Sequence, residues 1–282
     1  MNTIPPIGAP PRIFITGGTA RLETDGASLA YRCDGRMDSL TIAAVSGLRS
    51  RMQSLDLLAN NLANSATAGF KRDQEFYNIF ASEEASGAND NPAETVPVIE
   101  RQWTDFSAGT MQVTGNSMDM ALSGPGFFVV NGPSGPLYTR NGSMQVLSSG
   151  QLATAEGYSL RDVNGSPIQV TSDKPITIST DGTVQQDGQT LGQFDVENFK
   201  STDSLVKMGA TCFRNSDPNN LPVKPAAVQV QQGKLEGSNV PVAEAAMRLV
   251  GVMRQFEMLQ KAVSVSSEMD TKAIQEVARV GG

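Results

Sequence analysis

The sequence predicts an α+β fold in which a helix near each end of the chain flanks a central antiparallel β-rich domain. Three observations carry this. Apolar residues recur at 3-4 spacing from Val45 to Leu62, and again from Val242 to Val280. Between these segments, Asn-Gly and Asp-Gly dipeptides punctuate short β-branched and aromatic runs. Two polar, Pro-containing stretches, 82–97 and 214–225, show no period and read as loops.

Taken in order, residues 1–36 contain Pro5-Pro6 and Pro10-Pro11 and no sustained periodicity. They are expected to be a disordered tail or the product of an upstream start-site error. The first helix carries Val45, Leu48, Met52, Leu55, Ala59 and Leu62, an a/d seam over about three heptads. Asp38 or Ser39 is placed to cap its start. Gly69 suits a left-handed residue after its end, with Ser65 to Ala68 as an irregular last turn. Tight turns with positive φ are expected at Asn131-Gly132, Asn141-Gly142, Asn164-Gly165, Asp181-Gly182 and Asp187-Gly188. The strands between and beside them are read at 118–122, 127–130, 143–146, 167–170, 176–179 and 192–196. In the last helix, Val242, Leu249, Phe256, Val263 and Val277 fall at seven-residue steps, interrupted by Asp270, while Ala245, Val252 and Leu259 fill the second seam position. Pro241 stands where a first helical residue tolerates proline. On periodicity alone, the two seams fit two arrangements equally: ends that pair with each other, or two amphipathic helices packed on the central domain.

Composition narrows the function. The 282 residues are 39% hydrophobic but only 6% aromatic, which suits a small folded body with helical or extended arms. A net charge of −7 argues against nucleic acid as the main partner. No apolar run approaches the ~18 residues of a membrane span. The first 36 residues lack a secretory signal, so export would need a route without a cleaved peptide. Histidine is absent, which removes His-based nucleophilic pairs and metal sites. Cys33 and Cys212 are too few for a metal cluster, and nothing favours a disulfide between them. The carboxylates are scattered, with none in an apolar setting that would raise its pKa. No catalytic residue, cofactor or metal is therefore expected. The turn "GPGFFVV" at 124–130 lacks the Lys and the helix of a phosphate loop, and "FITGGTAR" at 14–21 lacks the spacing of a nucleotide-binding turn. "VMRQFEMLQKAV" at 252–263 has the look of a calmodulin-target helix, but its seam continues past both ends, which favours packing.

The helix ends in amides, within "LLANNLANSATAGFKR" at 57–72. Asn60 and Asn64 lie one turn apart on one side, with Asn61 beside them. Locally, these amides satisfy orphan carbonyls and stop the helix. Functionally, they offer uncharged hydrogen bonds to a neighbouring chain, where a charge would be costly to bury.

Four ordered stretches carry a resemblance: "LDLLANNLANSATAGFKR", "TGNSMDMALSGPGFFVV" (114–130), "YTRNGSMQVLSSGQLATAEGYSL" (138–160) and "LEGSNVPVAEAAMRLVGVMRQFEMLQKAV" (235–263). From Met37 onward the chain resembles the bacterial flagellar rod and hook proteins, the axial proteins of the basal body. From Met37 it is short for a hook protein. "MDSL", "YTRNGS" and "LEGSNV" are similar to the proximal more than the distal rod type. The resemblance implies terminal helices paired as a coiled-coil-like layer lining an axial tube, with the β-domain outside. It implies a self-assembling structural subunit of the rod, the drive shaft that carries torque from motor to hook, and no enzyme. Its partners would be its own copies, other rod and hook subunits and the flagellar type III export apparatus. Its place would be the basal body, across the periplasm. The implied segments are an extension at 1–36, an N-terminal axial helix at 37–75, a linker or extended region at 76–115, a β-rich domain at 116–235 and a C-terminal axial helix at 236–282. Implied subunit contacts are Val45, Leu48, Met52, Leu55, Asn60, Asn61, Leu62, Asn64, Phe70, Val242, Leu249, Val252, Phe256, Leu259 and Val263. A distal rod or hook-type protein is the nearest alternative. A secreted β-domain enzyme or binding protein with helical arms is the alternative from another class.

Overall fold

The computed structural model describes residues 12–16, 19–24, 27–32, 39–81, 95–171 and 174–280. About half of the extension at 1–36 lies outside these residues, so the expectation for it rests in part on positions that are not described. Those that are described pair as an antiparallel meander of β1 (Arg12–Thr16), β2 (Thr19–Thr24) and β3 (Ala27–Arg32).

Helix α1 (Ser39–Ala63) begins at the expected cap position and runs without proline. It ends where Ser65 N donates to Leu62 O over a three-residue step (3.2 Å), which tightens the last turn. Asn64 Nδ2 donates to the Asn60 carbonyl (2.9 Å), so one of the amides satisfies a carbonyl at the helix end. Gly69 adopts φ 69°, a conformation that costs a glycine little.

Largely within the segment read as a linker or extended region, β4 (Asp73–Ala81) and β5 (Thr95–Thr104) form a two-stranded antiparallel ribbon from Asp73↔Thr104 to Ala81↔Thr95, with a register shift between Phe76 and Tyr77. Thr95 to Pro97, expected in a loop, are therefore strand; the rest of that loop lies outside the described residues. Cross-strand hydrogen bonding overrode the composition signal there.

The β-body follows as β6 (Met111–Val113), β7 (Met120–Ser123), β8 (Phe127–Gly132), β9 (Gly135–Thr139), β10 (Met144–Val146), β11 (Leu152–Thr154) and β12 (Ser159–Leu160). It continues with β13 (Ile176–Ile178), β14 (Thr183–Gln186), β15 (Gln189–Gln193), β16 (Val196–Glu197), β17 (Leu205–Met208), β18 (Cys212–Asn215), β19 (Gln229–Gln232) and β20 (Lys234–Glu236). Every ladder among the described strands is antiparallel. The main sheet runs β10-β11-β12-β8-β9-β18-β17, with β16 also on β8. β19 pairs with β7 and β20 with β6, which brings the last strands before α2 back to the first strands after the ribbon.

β8 is buried on both faces. Phe128 and Val130 enter the larger core with Met120, Leu122, Leu152, Ile168 and Val184. Phe127 and Val129 enter a smaller aromatic core with Tyr138, Phe199 and Phe213. Two buried faces explain why "GFFVV" reads as a continuous apolar run and not as an alternation. The predicted strand 167–170 is reduced to isolated bridges at Pro167 and Gln169. The predicted strand 192–196 divides between β15 and β16.

Three of the five glycine turns form as expected. Asp187 (φ 53°) and Gly188 (φ 77°) make the mirror-image turn joining β14 to β15. Gly165 and Gly182 also take positive φ. At Asn131-Gly132 the turn falls later, because Gly132 pairs with Gly135 and the loop is Pro133-Ser134. Gly142 serves close approach: a Cβ there would lie 1.6 Å from the Met120 carbonyl oxygen. Helix α2 (Val242–Val280) starts directly after Pro241, whose carbonyl accepts from Ala245 N (2.9 Å).

Candidate assembly surface

The two helices lie against each other, and α1 also covers β5. A Cβ placed on Gly47 would meet Leu259 at 3.7 Å, while Leu58 and Asn61 share a crevice with Val240 and Ala245. Early α1 thus meets later α2, and the end of α1 meets the start of α2. Apart from the buried Leu58, the inward side of α1 is formed by small and polar residues, with Ser50, Ser54 and Asn61 buried and Gly47 half-buried. Small side chains permit the close approach.

The residues picked out by periodicity are therefore split. On α1, Val45 is 55% and Met52 52% exposed, while Leu48, Leu55 and Leu62 are half-buried beside them. This ridge is turned mostly away from the chain's own core. On α2, Leu249, Val252, Phe256, Leu259 and Val263 are half-buried, on the side that carries the buried Ala245; Val242 is exposed. Periodicity passed over a second row on the opposite side of α2. Met247 is 69%, Met258 64% and Met269 65% exposed, with Val250 and Val265 also exposed. At 100° per residue, Met247, Met258 and Val265 fall within about 20° of each other. The signal was present in the spacing, but the heptad seam drew attention to the other face.

The amide cluster also divides. Asn61 is buried and holds the backbone of Asp73 at both ends: Nδ2 donates to Asp73 O (2.8 Å) and Oδ1 accepts from Asp73 N (3.0 Å). It ties α1 to the start of the ribbon. Asn60 is exposed and, with Asn64, Gln53, Gln102 and Lys207, lines an open groove between α1 and the β17–β18 hairpin. Phe70 is buried with Val240 and Ala245, and Lys207 Nζ sits 4.3 Å from its ring centroid. Lys207 also donates to Asp73 Oδ2 and to the Lys71 carbonyl, both at 2.6 Å.

Below this contact lies an ionic cluster that sequence reasoning missed. Glu236 Oε1 accepts from Lys71 Nζ (2.5 Å) and Gly109 N (3.0 Å), and Oε2 accepts from Arg140 NH1 (3.2 Å). Lys71 and Glu236 are almost entirely buried, and Arg140 nearly so. Burial holds Lys71 and Arg140 below their ordinary pKa values, and the Glu236 carboxylate opposes that effect in both. In sequence these charges stand far apart, within "GFKR", "YTRNG" and "LEGSN", with nothing local to show that they meet.

One expectation about acids is corrected. Burial raises the Asp195 and Glu197 carboxyls above their ordinary range. Both sit on or next to β16, where chain folding, not local sequence, places them over the aromatic core; Arg161 Nε faces Asp195 Oδ2 at 3.4 Å. Cys212 is a buried free thiol, pushed up to about 11 by burial and by Glu156. Cys33 lies outside the described residues.

Comparison with known proteins agrees with this architecture. Residues 121–186 match the flagellar hook protein FlgE/F/G D1 domain, and residues 231–276 match the flagellar basal body rod FlgEFG protein C-terminal region. The flagellar basal-body rod protein FlgF of Caulobacter vibrioides is 28% identical over 247 residues, covering 86% of this chain and all of that protein. FlgG of Buchnera aphidicola subsp. Schizaphis graminum is 30% identical, covering 81% of this chain and 96% of that protein. FlgG of Agrobacterium fabrum is 30% identical, covering 83% and 97%. These matches bear out a structural rod subunit of the basal body, of a family that assembles with other rod and hook subunits, and do not favour a secreted binding protein. No helix among the described residues is long and apolar enough to cross a membrane. The match along the whole of FlgF agrees with the proximal rod type, and the chain belongs to the flagellar basal-body rod protein family.

Proposed function

We propose that this subunit polymerises through its two helices into the axial shaft, with the β-body outside, and that the shaft carries torque from motor to hook. The observation that carries this reading is the pair of apolar rows left outward on a two-helix layer. Val45 and Met52 mark one and Met247, Met258 and Met269 the other, and both are exposed in the single chain. Rows of this length on one molecule mark an interaction surface. A head-to-tail contact that lays one row of a subunit on the other row of the next leaves a free row at each end and so propagates a filament.

In this reading Leu48, Leu55 and Leu62 complete the α1 ridge, and Asn60 and Asn64 offer uncharged hydrogen bonds to the next subunit. Leu249, Val252, Phe256, Leu259 and Val263 hold α2 to α1 in a coiled-coil-like pair, while Asn61 and Phe70 hold that pair to the body. The axial segments are 37–75 and 236–282, bridged by 76–115 to the outer domain at 116–235. The subunit reaches the periplasm through the flagellar type III export apparatus, and performs no catalysis. Negative-stain microscopy of purified protein brought to high concentration tests the reading. Rods or protofilaments are expected; a strictly monomeric protein together with a wild-type rod in a strain lacking the gene refutes it.

A further inference from the structure

We propose that Lys71, Arg140 and Glu236 form a positioning joint that fixes the helical layer at one angle to the β-body; the consequence for the rod rests on the assembly reading above. Four segments far apart in sequence meet on one carboxylate. Lys71 follows α1, Gly109 lies between β5 and β6, Arg140 ends the β8–β9 hairpin, and Glu236 closes β20 just before α2. Further donors on the same side chains are committed to the main chain. Lys71 Nζ donates to Ser107 O (2.7 Å), and Arg140 NH2 donates to Gly124 O (2.8 Å). The main chain reinforces the same point, with Gly69 N donating to Glu236 O (2.7 Å) and Gly237 N to Thr110 O (2.8 Å).

Two cations against one carboxylate are a poor way to gain stability in a buried setting, since desolvation offsets most of the attraction. Directional donors supply something apolar contacts do not: a single geometry in which Lys71 Nζ, both terminal nitrogens of Arg140 and both oxygens of Glu236 have partners. A swing of the helices would strand Lys71 away from both its acceptors. That stiffness matters because α2 is a long lever. Its 39 residues extend roughly 58 Å, so a tilt of about 5° at the joint moves the far end by about 5 Å, a full turn of helix. A subunit loose at this point would miss its register on the next one.

The test separates geometry from stability in the full-length chain. Lys71, Arg140 and Glu236 are replaced together by Met, Leu and Leu. A second variant pairs Lys71→Met with Glu236→Gln. Spin labels are placed on exposed positions, Ala155→Cys in the body and Gln260→Cys in α2, with Cys33 and Cys212 changed to Ser. The wild-type background is expected to give one narrow distance distribution. Both variants are expected to keep a folded β-body, the triple with an unfolding midpoint no lower than wild type, while the distance distribution broadens and pelletable polymer is lost. A narrow wild-type distribution in the triple variant overturns the joint, and so does a triple variant whose body unfolds. A broadened distribution with polymer retained keeps the joint and counts against helical assembly instead.

Discussion

Replacing Met258 with Asp isolates assembly from folding. In the single chain this side chain is 64% exposed on the outer face of α2, so the charge has water available and the monomer should lose almost nothing. In a rod that covers this row, full burial of a Met contributes ~1.5–3 kcal/mol, of which about two-thirds, roughly 1–2 kcal/mol, is still to be gained on contact. The aspartate forfeits that gain and adds a desolvation cost of several kcal/mol. A loss of roughly 4 kcal/mol per contact, at ~1.4 kcal/mol for each tenfold, raises the concentration needed to polymerise by more than about a hundredfold. Sedimentation velocity and denaturation midpoint report on the monomer, a pelleting assay on the polymer, and soft-agar swimming on function. The expected result is a normal monomer, no pellet and no swimming, with Met258→Leu behaving as wild type. A Met258→Asp protein that pellets at the wild-type concentration refutes the outer row as an interface. Phe256→Asp provides the contrast. It lies on the opposite, half-buried side, so it should already loosen α2 from α1 in the monomer, visible as lost helical signal with the β-body intact.

Three further outcomes follow from the geometry. Asn61→Ala strands both backbone groups of Asp73 and should cost about 1–3 kcal/mol in urea unfolding, whereas the exposed Asn60→Ala should leave the midpoint unchanged and affect only polymerisation. Gly142→Ala drives a Cβ into the Met120 carbonyl and should prevent a stable β-body, read by near-ultraviolet circular dichroism; a variant that folds normally would show that this crossing can open. Asp195 and Glu197 hold protons in the folded chain after the unfolded chain has released them. Their contribution to stability is therefore complete below the ordinary carboxylate range and is lost as pH rises through the raised values. Glu197→Gln should flatten that decline when urea midpoints are compared from about pH 4 to pH 7, and an unchanged slope would show that the group is not linked to folding.

The sequence by itself determined the elements whose causes are local. The 3-4 spacing makes α1 and α2 helical, and Asp187-Gly188 and Asp181-Gly182 make their turns, because backbone sterics act within a few residues. It also determined the family, since four motifs in order are a property of the chain and not of its folding. Tertiary structure decided what each helical face is for. The heptad on α2 and the methionine row opposite it are both apolar, and periodicity cannot rank them; only the position of α1 shows that Leu249 and Phe256 are half-covered while Met247 and Met258 are bare. Among the three amides, Asn61 turned inward and Asn60 outward because the ribbon begins at Asp73, on one side of the helix only. The joint was invisible for the same reason. Lys71, followed directly by Arg72 and Asp73, has the local setting of a solvated charge, and it becomes a buried one only when Glu236, 165 positions later, is brought to 2.5 Å. Burial is set by what the rest of the chain places around a residue, and no window of local sequence contains that information.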